Sequence, residues 1–288
     1  MAITFLILSI CFSTFINLIF RWFKDHKVNK FQAILVNYVV CFSIGFSLSE
    51  DQNILENIQS TWFPYCILLG FVFVAIFFSM ALTTEKMGIS VTAVSGKMSV
   101  VIPILFAYFF YSETLSILFL LGLVLSLLSI YFISVKKDLH IDRKHIILPI
   151  VVFLGGGIID TCLNVIETTF GSEVSMETIS YSIFLGAFMA GLLLFIIRNK
   201  GNFMTFEKKS IIAGLALGIP NYFSIFFVLS AIASFPNKSA LVFGINNIGI
   251  VLISTILSVL IFKEKLSFGN KVGLVLAIIS IAIIAYAS

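Results

Sequence analysis

The sequence predicts an all-α polytopic membrane protein: ten transmembrane helices, arranged as two inverted five-helix repeats around a central cavity. Three observations predict it. Hydrophobic residues make up 60% of the 288 positions and charged residues 11%, with mean hydropathy +1.13; a soluble domain is about a quarter charged. The apolar residues fall into ten blocks, each long enough to cross a hydrocarbon layer of about 30 Å as a helix and too long for a barrel strand. The second half of the chain repeats motifs of the first after an odd number of blocks, which turns the second copy upside down.

Taken in order, the spans are 2–20, 31–48, 62–82, 88–111, 115–134, 146–169, 178–197, 210–232, 239–262 and 268–287. They must be helical, because lipid offers the backbone no hydrogen-bond partner. The first span is not read as a cleavable signal: its cations follow it, and no A-x-A site is present. The stretches between spans are short, so no extramembrane domain is expected. The units are residues 1–134, a cytoplasmic linker 135–145, and residues 146–288. Four cysteines, Cys11, Cys41, Cys66 and Cys162, sit inside spans without metal-ligand spacing and read as buried free thiols.

Orientation follows from the cations. Of the 18 Lys and Arg, all but Lys97 and Lys238 fall in or beside the loops after spans 1, 3, 5, 7 and 9. Those loops are therefore expected in the cytoplasm, with both termini outside and the protein in the cytoplasmic (inner) membrane. Glu50, Asp51, Glu56, Glu113, Glu173 and Glu177 populate the outer side, and Trp22, Trp62, Tyr65 and Tyr286 lie at span ends, where an interfacial belt would put them.

The repeat is carried by two blocks. Tyr111-Ser-Glu-Thr-Leu-Ser116 aligns with Phe262-Lys-Glu-Lys-Leu-Ser267, and in the same register Gly122-Leu-Val-Leu125 aligns with Gly273-Leu-Val-Leu276. Nearer the start of each half, Thr14-x-x-Asn17-x-Ile19 matches Thr161-x-x-Asn164-x-Ile166. An apolar helix, a short turn with Glu113 and Leu115, then a helix with Gly122, repeated at Glu264, Leu266 and Gly273, resembles the EamA-type ten-helix branch of the drug/metabolite transporter superfamily. The resemblance covers the whole chain. It implies two inverted bundles, a cavity lined largely by helices 1, 3, 4, 6, 8 and 9, peripheral helices 5 and 10, and alternating access. Lys97 is a departure from that pattern; its register partner is Ile248.

Lys97 lies roughly 13 Å into its span at a helical rise of about 1.5 Å per residue. A lysine at that depth costs on the order of 3 kcal/mol on insertion scales. Two roles fit: lining a substrate path, or holding helices together through an acid. Asp160, Asn164 and Glu167 are spaced by four and three, which puts them on one face of span 6. Asp160, roughly 21 Å along its helix, is a candidate for cavity or pair; Glu167 falls at the outer mouth. Asn17, Asn221, Asn246 and Asn247 are amides inside spans 1, 8 and 9 that fit a polar substrate or interhelical bonds equally. Asn37 reads as packing. Pro103 and Pro220 interrupt spans 4 and 8 as hinges or as fixed kinks, and Gly156, within Gly155-Gly156-Gly157, permits bending or close approach. Gly214-x-x-x-Gly218 and Gly269-x-x-x-Gly273 are small-residue stripes suited to helix packing or dimerisation.

The function these readings support is secondary transport of a small polar metabolite, such as an amino acid or organic anion. Proton-coupled efflux of amphipathic compounds is the alternative. The expected partners are that substrate and the lipid bilayer, with the chain a monomer or homodimer. Nucleic acid is not expected, because the cations sit in short loops. An intramembrane enzyme is disfavoured: His26, His140 and His145 all lie in loops, Asp160 is the sole Asp within a span, and no H-E-x-x-H or phosphate-binding loop occurs. No cofactor or metal is expected.

Overall fold

The computed structural model describes residues 2–26, 28–87, 89–113, 115–134, 145–198, 206–263 and 266–287. The predicted linker, its cations Lys136, Lys137, Arg143 and Lys144, and Glu264 lie outside the described residues. Twelve helices follow one another, and no strand occurs among the described residues: α1 (Ala2–Asp25), α2 (Lys30–Leu48), α3 (Ile54–Asn57), α4 (Phe63–Met87), α5 (Ile89–Met98), α6 (Val101–Phe110), α7 (Ile117–Ser134), α8 (Ile147–Phe170), α9 (Met176–Arg198), α10 (Lys208–Ser234), α11 (Ser239–Phe262) and α12 (Phe268–Ala287). Eight are long and apolar enough to cross a bilayer, and two shorter apolar stretches, Val94–Phe110 and Ile117–Ile133, accompany them. Large apolar side chains such as Phe109, Phe110, Ile117 and Phe268 are exposed on the outside. That surface suits lipid and would aggregate in water, so the chain is an integral membrane protein.

The fourth predicted span is not one helix. It breaks at Ser99 and Val100 into α5 and α6. Pro103 explains the break. Its nitrogen carries no proton, so Ser99 O loses the donor four residues on. Ile102 N takes that carbonyl instead at 2.9 Å, and Val100 N bonds Lys97 O at 3.4 Å, a tightened turn of the i→i+3 kind. Ser99 Oγ closes the turn by donating to Gly96 O at 2.7 Å. Pro220 has no such effect: α10 runs unbroken past it. Gly156 likewise lies inside an unbroken α8. A Cβ there would meet Ser99 Oγ at 2.8 Å, and Gly155 and Gly157 face Ile76 and Ile102. The glycine run is thus the surface on which α8 seats against α4 and the broken helix.

Apolar helices gain little from hiding apolar surface in lipid, so close packing holds them. Gly70 and Gly186 bring α4 and α9 into backbone contact: a Cβ on Gly70 would meet Ile183 O, and one on Gly186 would meet Ile67 O. The Gly214/Gly218 stripe serves the same end inside the molecule, seating α10 on Val36 and Val40 of α2. Gly122, near the start of α7, packs on Ile283 and Ile284 near the end of α12, while Gly273, near the start of α12, packs on Phe132 and Ile133 near the end of α7. The two helices therefore run antiparallel. Gly269 meets nothing closer than 3.7 Å, so the stripe's contact lies at Gly273.

Two placements differ from the sequence reading. Trp62 is buried in the main core against Phe63, not exposed at a span end; it immediately precedes α4. Glu113, expected in an outer loop, is also buried, at 6% exposure. Trp22, Tyr65 and Tyr286 are exposed, as an interfacial belt requires.

The backbone contact predicts a stability effect. Gly70→Ala and Gly186→Ala should each destabilise by about 1–3 kcal/mol through overpacking, while Gly269→Ala should be neutral. Thermal unfolding in detergent checks this; equal midpoints for all three variants would reject it.

Candidate functional site

Lys97 occupies the last turn of α5, one residue before the break. A cation there meets the negative end of the helix dipole. Its Nζ donates to Asn247 Oδ1 on α11 at 3.3 Å. Asn247 Nδ2 donates to Phe243 O at 3.2 Å, and the same amide lies beside the Asp160 carboxylate of α8. Lys97 and Asp160 attract each other across this site, and Asn247 stands against both. The arrangement is a cation, an amide and a carboxylate drawn from three helices, with the amide oxygen turned to the cation. Lys97 and Asp160 are both half-buried.

The other predicted residues divide among separate places. Asn164 is buried and donates to Ser239 Oγ at 3.0 Å; its Oδ1 accepts no hydrogen bond. Asn221 donates to Asn37 Oδ1 at 3.1 Å, so this pair ties α10 to α2 in a packed interface. Asn37 as packing agrees with this, and Asn221 belongs to the same joint, away from Lys97's bonds. Asn17 is exposed and donates to Ser254 Oγ of α11 at 3.1 Å. Asn246 is buried with Oδ1 unpaired. Glu167 is buried to 9% exposure near the C-terminal end of α8.

A second polar cluster went unread in the sequence. The turn between α6 and α7 carries Glu113 to the N-terminus of α11. Its carboxylate accepts from Ser239 N at 2.8 Å, from Ser239 Oγ, and from Ala240 N at 3.1 Å. These backbone N–H groups are among those a helix start leaves without internal partners, and a carboxylate suits the positive end of the helix dipole. Ser239 Oγ also accepts from Asn164, which joins α8 to the cluster. Residues 113 and 239 are 126 apart in the chain, so no local pattern announces their meeting; the one available signal was a lone acid between two apolar helices.

An apolar cavity of about 270 Å³ opens between α5 and α8, lined by Val94, Ser95, Met98, Pro149, Ile150 and Phe153. Among the described residues no three His, Cys, Asp or Glu gather as a metal site.

No known family profile matches the chain. A protein of uncharacterised function from Haemophilus influenzae is 29% identical over 289 aligned positions, spanning 98% of this chain and 97% of that one. A crystal structure of another protein superposes with a TM-score of 0.80 at 13% identity, covering 99% of this chain and 97% of its own. That likeness defines the fold over the full length and leaves the activity to the site.

Coupling between the two charges is measurable. Lys97→Met and Asp160→Asn should each cost about 1–3 kcal/mol, since each strands a partner. The double variant should cost less than their sum by about 1 kcal/mol. A double-mutant cycle of unfolding in detergent reads this directly, and strict additivity would mean the groups are independent.

Proposed function

We propose that the protein is a secondary transporter of the drug/metabolite type, with ten membrane crossings, α5 and α6 together making one. In this reading two five-helix halves sit in opposite orientation, the termini face outward, and the protein resides in the cytoplasmic membrane. The reciprocal packing of α7 and α12 supports the inversion. Gly122 and Gly273 are equivalent in the repeat, as are Phe132–Ile133 and Ile283–Ile284, and each glycine lands on the other helix's equivalent pair. Equivalent helices running antiparallel are what an axis in the membrane plane produces.

The observation that carries the function is the Lys97–Asn247–Asp160 set. It lies mid-span, on the broken helix of the first half and two helices of the second. Broken helices at the junction of inverted repeats are where secondary transporters hold substrate. The Asn247 amide offers oxygen to the cation and stands against the carboxylate, an internal stand-in for a ligand bearing both charges. A zwitterion would replace it with no net charge left in the membrane, whereas a lone anion or cation would leave one protein charge uncompensated. The apolar cavity beside Val94 and Met98, which flank Lys97, suits an apolar side chain. The substrate class is therefore a small zwitterion such as an amino acid.

Counterflow in proteoliposomes tests this with a panel of zwitterionic amino acids, monocarboxylates and monoamines. Zwitterions should exchange, and Lys97→Ala should cut their flux at least tenfold with the fold retained. Unchanged flux in that variant would remove Lys97 from the site and overturn the reading.

A further inference from the structure

We infer that Glu113 is the pin of an outer gate: its clasp on Ser239 and Ala240 closes the extracellular end in the conformation seen here, and must open for substrate to pass that side. The inference rests on the transporter reading for its meaning; its geometry stands alone. Glu113 belongs to the first half, and every group it holds belongs to the second. Its carboxylate takes two backbone donors and one hydroxyl at the start of α11. Ser239 passes the link to Asn164 on α8. A second strut joins the same elements: Tyr111 at the end of α6 hydrogen-bonds Thr168 of α8 at 2.8 Å. The outer ends of α6, α8 and α11 are thus tied at two points. Lys97, Asp160 and Asn247 sit below them on α5, α8 and α11.

The backbone flanking the clasp is set for a turn on each side. Ser112 and Asn237 both hold positive φ, at 54° and 60°, an unusual state for residues other than glycine. A cavity of about 260 Å³ adjoins the carboxylate, lined in part by Leu115, Phe119, Lys238 and Leu241, so the α6–α7 turn has open space next to it. Three donors on one carboxylate hold the clasp end firmly. Asn17, far along α1 at the end away from the clasp, is exposed and donates to Ser254 Oγ.

A structural cap and a gate pin make different predictions for the far end of the molecule. Loss of a cap loosens the fold everywhere, whereas loss of a pin opens one end and closes the other. The experiment uses the full chain with Cys11, Cys41, Cys66 and Cys162 replaced by Ser, in nanodiscs of phosphatidylethanolamine and phosphatidylglycerol. One reporter is Ala240→Cys, buried behind the clasp, and the other is Asn17→Cys; both are read by the rate of maleimide labelling. With Glu113→Ala, labelling at 240 should rise at least tenfold and labelling at 17 should fall severalfold. Glu113→Gln, which keeps an acceptor oxygen, should lie between. The paired substitution Tyr111→Phe with Thr168→Val provides a milder route to the same opposed change should Glu113→Ala fail to fold. A rise at both reporters makes Glu113 a cap only, and no change at 240 dismisses the clasp as a barrier; either overturns the inference. Labelling needs no substrate, so failure of Lys97→Ala to affect flux would overturn the transport reading and leave this result standing.

Discussion

Hydrocarbon supplies no hydrogen bonds, and that shortage governs every polar feature of this protein. A buried donor or acceptor can be met only from within the chain, and a few, such as Asn164 Oδ1 and Asn246 Oδ1, are left without a partner. The Pro103 break shows the rule at work: a carbonyl deprived of its donor is taken by Ile102 N, one residue earlier. Asn221 finds Asn37, Asn164 finds Ser239, and the first backbone donors of α11 find Glu113. Polar residues that would be solvated in a water-soluble fold become joints between helices here.

Packing supplies the rest of the cohesion, and small residues set its geometry. Where glycine faces glycine, as at Gly70 and Gly186, backbones touch. Where glycine faces a branched side chain, as at Gly155 and Gly157, a neighbour's isoleucine fills the gap. The run Gly155-Gly156-Gly157 would read equally well as a flexible element, yet neighbouring helices occupy its whole flank. Position in the bundle, not intrinsic freedom, decides what a glycine does.

These constraints converge on the centre. The break ends α5 one residue after Lys97, so the lysine sits half-buried at a helix C-terminus, where the backbone itself is partly negative. The unbroken α8 brings Asp160 alongside, and α11 places one amide between the charges. Glu113 bears on the same geometry from a distance, since it fixes the start of the helix that carries Asn247.

Much of this architecture was legible in the residues themselves. Apolar blocks of bilayer length read as membrane helices, because burying a backbone in lipid leaves no other solution. Spacing of four and three aligned Asp160, Asn164 and Glu167 on one helix, and Lys97 stood out because a charge at that depth is costly. Proline at 103 signalled an interruption, though not that the span would part into two helices. Only the tertiary structure decided which polar residue meets which. Asn247 reached Lys97, Asn221 went to a packing joint, and Glu113 and Trp62 went inside. Such pairings join positions far apart in the chain, and helical periodicity carries information only about neighbours a few residues away. What each polar side chain faces is set by how whole helices lean on one another, and that is a property of the assembled bundle.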